Sequence, residues 1–218
     1  MGLMLESLDS PTLEDRIKNN EFYQASLPIG KERKGHPEAQ LGVHISSILD
    51  FIDSHYKDSP YFKELRIIAM LHDVGKLSRE EEFGETVPED VRRNTTTLRE
   101  KFIKTFPLSP EEESEFIPSH ALYSEKLAKS LGITGQTLSI IRYHDSGFKF
   151  YKEAAKNEDK YDEGEFKKIF SPDNFDMELY LLFNFSDNNR RDADLTYWLQ
   201  DELIKHGLIK DLVIHKPA

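Results

Sequence analysis

Apolar residues recur along this chain at intervals of three and four, the spacing that lines one face of an α-helix, while the alternation of a half-buried strand is hard to find. Leu41, Ile45, Ile48, Leu49 and Ile52 form one such stripe and predict a helix over about 38–55. Leu65, Ile68 and Ala69 form the next, over about 60–73, before Gly75 breaks it. Further helices are predicted over about 119–131, 135–145, 175–190 and 193–206, with Gly132, Gly147 and Gly207 as C-terminal stops. A short helix is expected after Ser10-Pro11-Thr12, followed by an irregular stretch from Leu27 to Pro37. Residues 77–118 read as a charged connector punctuated by Gly84, Pro88, Pro107 and Pro110, with one helix near Thr97–Thr105. The stretch 153–168 reads as a solvated loop or a polar helix. With no internal repeat and no clear linker, the pattern predicts an all-α fold, one compact helical bundle over 1–218. It carries an N-terminal extension, 1–35, and the connector 77–118 in the place of a lid or binding loop.

Polar residues on these apolar stripes change the picture. Four of the eight histidines fall where a core side chain is expected. His44 lies three after Leu41 and four before Ile48, and His72 lies four after Ile68 and three after Ala69, with Asp73 immediately following. His120 sits seven before Leu127, and His144 follows Ile140 by four and Ile141 by three. Asp187 follows Phe183 by four and Tyr180 by seven, which aims a carboxylate at the core. A buried, unpaired carboxylate costs several kcal/mol, roughly, unless a proton, hydrogen bonds or a cation neutralise it. One inward histidine is most often a hydrogen-bonded core residue. Five coincident stripes instead point to a divalent ion among His44, His72, Asp73, His120, His144 and Asp187, since neutral imidazole and carboxylate suit Mn, Fe, Co, Ni or Zn, with Mg also admissible. Neighbours on a helix diverge by about 100°, so His72 and Asp73 reach one ion only if the helix ends there. His206 and His215 near the C-terminus read as surface residues, and His55 as solvated.

Composition narrows the chemistry. The absence of cysteine removes disulfides, thiolate metal sites and cysteine nucleophiles. The chain carries 29 basic and 40 acidic side chains, a formal charge of −11, which disfavours a partner such as an extended nucleic acid. No apolar run approaches the roughly 20 residues of a membrane span and the N-terminus lacks a signal pattern, so a cytoplasmic protein is expected.

The ordered set His44, His72-Asp73, His120, His144 and Asp187 resembles the HD superfamily of metal-dependent phosphohydrolases, with His-Asp-Val-Gly-Lys at 72–76 matching its core signature. The likeness covers about residues 36–192. The segment His36-Pro37-Glu38-Ala39-Gln40-Leu41-Gly42-Val43-His44 is similar to the opening of the HD domain in bacterial tRNA nucleotidyltransferases, as are Arg142-Tyr143-His144-Asp145 and Asp187-Asn188-Asn189-Arg190. Ser119-His120-Ala121 stands where that branch usually has Gly-His-Glu, and only 35 residues precede His36, too few for a nucleotidyltransferase domain. The resemblance implies an HD-type bundle in which His44, His72, Asp73 and Asp187 bind one ion. His120 and His144 then bind a second, with Asp73 between the two.

The expected reaction is hydrolysis of a phosphate mono- or diester, a nucleotide or small phosphorylated metabolite, by metal-activated water. Asp73 is the candidate catalytic carboxylate and Lys76 the candidate phosphate or leaving-group contact. His36, Arg142, Lys149 and Arg190 are further candidate substrate contacts, and a homo-oligomer is compatible with this reading. Two alternatives stay open: a di-iron HD-fold oxygenase and a non-catalytic nucleotide-binding module. Within 77–118 there are eleven acidic and six basic residues, so much of the negative charge sits on the connector. A small phosphate ester drawn to a metal-centred pocket remains compatible with it.

Overall fold

A computed structural model describes residues 11–31, 40–83, 89–158, 160–171, 173–188 and 193–215. The fold is all-α. Among the described residues there is no strand, only an isolated bridge between Gly30 and Phe83. No helix among them is long and apolar enough to cross a membrane.

The helices are α1 (Leu13–Lys18), α2 (Glu21–Ser26), α3 (Leu41–His55), α4 (Phe62–Leu71), α5 (Glu89–Thr105), α6 (Pro110–Glu113), α7 (Ser119–Ser130), α8 (Gly135–Tyr143), α9 (Ser146–Lys156), α10 (Glu163–Ile169), α11 (Met177–Asn188) and α12 (Ala193–Lys205). Short-range chemistry sets several boundaries. Thr12 opens α1 through a capping box with Asp15, and Asn20 opens α2 by accepting from the Phe22 and Tyr23 amides. Gly132 closes α7 at φ +84°, where a side chain would be strained, and Gly207 closes α12 in the same way at φ +68°.

Helix α4 is the centre of the bundle. It packs against α3, α8 and α11, and every residue from Ile67 to Leu71 is buried. Arg66 on this helix ties in the periphery: its guanidinium donates to both Glu14 oxygens on α1, at 2.8 and 3.0 Å, and pairs with Asp53 on α3. Beyond α4 the chain tightens into a 3₁₀ turn, Val74–Ser78, that lies along α7. The contact is close because Gly75 has no side chain. A Cβ there would stand 1.8 Å from the His120 carbonyl oxygen, and the Gly75 amide donates to Ser124 Oγ at 2.9 Å.

Several elements differ from the sequence expectation. Gly147 does not stop a helix; it lies in the first turn of α9, where a Cβ would stand 2.8 Å from Leu199 of α12. Helix α9 buries Phe150 and Ala154, and α10 buries Phe166, so the polar stretch 153–168 carries a helix with an aromatic anchor. The helix expected near Thr97–Thr105 begins at Glu89, and its Phe102 is fully buried against Phe22 and Tyr123. His206 is not a surface residue: its side chain is 6% exposed and sits beside the Tyr161 hydroxyl, 2.9 Å away.

The Gly75 approach yields a stability prediction. Gly75→Ala forces apart the turn and α7 and is expected to cost about 3 kcal/mol or more, as overpacking against backbone does. Gly132→Ala, strained but in open space, is expected to cost about 1 kcal/mol. Urea denaturation midpoints of the two variants should preserve that order.

Candidate metal centre

Five polar side chains, His44, His72, Asp73, His120 and His144, converge in the middle of the bundle, each 5% exposed or less. Helix α3 delivers His44 from its first turn, and α7 delivers His120 as its second residue. His72 caps α4, and Asp73 follows at φ −110°, ψ 0°, outside the helix. That departure turns two adjacent side chains, which a continuing helix would splay apart, toward the same point: His72 Nε2 lies 3.4 Å from Asp73 Oδ2. Helix α8 ends in the same manner, with His144 as its cap. Asp187, near the end of α11, completes the set with a side chain 15% exposed.

The donors fall into two groups, His44 with His72 and Asp187, and Asp73 with His120 and His144. Asp73 stands between them. Its Oδ2 lies 3.4 Å from His72 Nε2 and 3.9 Å from His44 Nε2, while its Oδ1 lies 3.4 Å from His120 Nε2 and 3.5 Å from His144 Nε2. His44 Nε2 in turn lies 3.0 Å from Asp187 Oδ1.

Backbone hydrogen bonds fix two of the rings. His72 Nδ1 lies 3.0 Å from the Ala69 carbonyl oxygen and His144 Nδ1 lies 2.9 Å from that of Ile141. A carbonyl only accepts, so in both rings Nδ1 carries the proton and Nε2 is the nitrogen presented to the cluster. His72 Nε2 is buried there with no hydrogen-bond partner among the described residues. A lone pair held dry and unpaired is the arrangement a cation completes. The oxygen and imidazole donors, with no thiolate in the chain, fit a divalent ion.

Electrostatics follow from this crowding. Burial raises the Asp73 pKa, but the Lys76 ammonium, the His72 ring and hydrogen bonds from His120 and His144 outweigh it and hold the carboxyl well below the usual range. Burial likewise disfavours a charged His144, yet Asp145 and Asp73 outweigh that and push it up to about 9. Without metal, the site is neutralised in part by a proton on His144.

The remaining sequence candidates are placed as follows. Lys76, its side chain 13% exposed, pairs with Asp73 Oδ2. Arg142 is engaged by two carboxylates, Glu125 and Glu115. Lys149 donates to the Phe116 carbonyl at 2.5 Å and lies over the Phe116 ring, 3.4 Å from its centroid. His36 and Arg190 lie outside the described residues. One neighbour of the cluster is not among the candidates that the apolar stripes mark: Asp145 Oδ2 stands 3.2 Å from His120 Nε2.

Fold and site together define an all-α protein with a buried His/Asp centre able to hold a divalent metal. Comparisons with protein-family profiles, with curated proteins and with solved structures return no match to this chain.

An ion held by Asp73, His120 and His144 must displace the proton held by His144, so its affinity rises with pH up to about 9. With that one proton displaced, Mn²⁺ is expected to bind the His120 and His144 group roughly 100-fold more tightly at pH 8 than at pH 6. It should raise the melting temperature of the wild type and not that of His72→Ala. Calorimetric titration at the two pH values checks the first expectation and thermal melts the second; an affinity indifferent to pH would exclude proton displacement.

Proposed function

We propose that this protein is a metal-dependent phosphohydrolase that cleaves a small phosphate mono- or diester, of which a nucleotide is the preferred class. The observation that carries this reading is the division of the Asp73 carboxylate between two donor groups, one oxygen facing His44 and His72 and the other facing His120 and His144. A carboxylate shared in this way would let the two donor groups hold cations side by side, an arrangement that suits in-line displacement at phosphorus. Divalent ions held there supply Lewis acidity toward phosphoryl oxygens and lower the pKa of a bound water.

The side chains around the donors support the same chemistry. Lys76 places an ammonium against Asp73, and a substrate phosphate entering the site offers it a second anion to contact. His72 packs its ring edge to face with Phe183 at 5.3 Å, an apolar wall that strengthens charge interactions within the site. With −11 on the whole chain, an anionic substrate is attracted locally, by the metal centre and Lys76, and not by the overall field.

The test is hydrolysis of p-nitrophenyl phosphate, bis-p-nitrophenyl phosphate, mononucleotides and 2′,3′-cyclic nucleotides by the metal-loaded protein. His72→Ala and Asp73→Asn are expected to lose bound metal and fall to background. Lys76→Ala is expected to keep its metal and lose about 10²-fold in kcat, the usual effect of removing one charge-stabilising donor. Ester hydrolysis unchanged in both the His72 and Asp73 variants would sink the assignment, as would oxygen uptake in place of hydrolysis.

A further inference from the structure

The structure contains a second His-Asp dyad built like the first. His72 caps α4 at φ −53°, ψ −37°, and His144 caps α8 at φ −53°, ψ −38°. The aspartates that follow have similar backbones, φ −110°, ψ 0° for Asp73 and φ −87°, ψ −4° for Asp145. In both dyads the histidine Nδ1 is bonded to the carbonyl three residues earlier, at 3.0 and 2.9 Å. Two residues beyond each histidine's aspartate stands a glycine in a tight contact, Gly75 against α7 and Gly147 against Leu199. The local sequences carry the same pattern, His72-Asp73-Val74-Gly75 and His144-Asp145-Ser146-Gly147. The duplication places Asp145 relative to α8 as Asp73 is placed relative to α4.

Its carboxylate also meets the right atoms. Asp145 Oδ2 lies 3.2 Å from His120 Nε2, and Oδ1 lies 3.8 Å from His144 Nε2. A carboxylate that only oriented these rings would sit at Nδ1, behind them. For His144 that position is already taken by the Ile141 carbonyl, and Asp145 instead faces the nitrogens that face Asp73. Donors about 2.1 Å from one ion stand about 3.0–3.4 Å apart. The contacts of His120 Nε2 with Asp73, Asp145 and His144, at 3.4, 3.2 and 3.4 Å, match that spacing.

We infer that Asp145 is a protein ligand of the second ion, so that each ion is held by two histidines and one aspartate of its own, with Asp73 shared. His44, His72 and Asp187 form one half, and His120, His144 and Asp145 the other. This assignment rests on the metal centre proposed above. Asp145 also marks the open side of that centre: its side chain is 35% exposed, against 5% for Asp73. A third carboxylate lowers the net charge of a centre holding two divalent ions from two positive to one, a weaker trap for anions that lets a phosphate product leave.

Co²⁺ titration of the full-length protein, followed by calorimetry and by visible absorption, tests the assignment. Wild type is expected to take two ions per chain. Asp145→Asn, nearly isosteric, should keep the first ion and weaken the second by more than about 100-fold, beyond the usual loss when only a supporting partner is removed. Asp187→Asn should weaken the other ion instead, and Asp145→Glu, which keeps a carboxylate, should recover two-ion binding if the asparagine variant is misfolded. Two ions bound to Asp145→Asn with wild-type affinities would overturn the role of Asp145 and leave the metal centre standing. No Co²⁺ bound to wild type would overturn both.

Discussion

The structure depends on the burial of one carboxylate. Asp73 sits in the middle of the helical core, 4% exposed, where an ionised group without compensation would cost more than the bundle can supply. Every element around it provides part of the compensation. Helix α4 stops at Leu71 so that Asp73 leaves the helix direction, and the glycine two residues on lets α7 approach until His120 reaches it. Helices α3 and α8 bring His44 and His144 from other sides, and Lys76, one turn along, pairs with Oδ2. Removing the compensation while keeping the charge is therefore more damaging than removing the charge, which is the asymmetry expected of buried polar networks.

That constraint explains what the sequence made legible. An imidazole at a position that helical spacing assigns to the core is conspicuous, and His44, His72, His120 and His144 all proved buried and convergent. The all-α fold was legible for the same reason, since most helices carry a clean apolar stripe. Helix α9 was not, because its buried Phe150 and Ala154 stand among Lys149, Lys152 and Glu153, and Gly147 reads as a stop when its function is to admit Leu199. Asp145 was hidden by a different cause. It lies at the rim of the cluster instead of on a stripe, so periodicity says nothing about it; only the recurrence of His-Asp-x-Gly marks it. Arg142, two residues before His144, pairs with Glu115 from before α7 and Glu125 within α7, partners that periodicity does not reveal.

Charge is distributed so that the site does not compete with the rest of the surface. Acidic residues of the connector are used locally: Glu112 caps its own short helix and pairs with Lys126, and Glu115 holds Arg142. The excess of carboxylate over cation across the chain therefore coexists with a centre whose charge is set by its own few groups. At physiological ionic strength, exposed charges farther than about 8 Å contribute little to that balance.

The centre is also preorganised. In small zinc domains the ligands find one another only when the metal arrives, and binding energy is spent on folding. Here His72 and His144 are held by carbonyls of their own helices, through contacts that need no metal, and His144 carries a proton in the ion's stead. A metal entering such a site finds the His72 and His144 rings already oriented and orders little else. Rings fixed from behind at Nδ1 also cannot swing to follow an ion, which would tie the position of any cation held there to the ends of α4 and α8 and thus to the packing of the whole bundle.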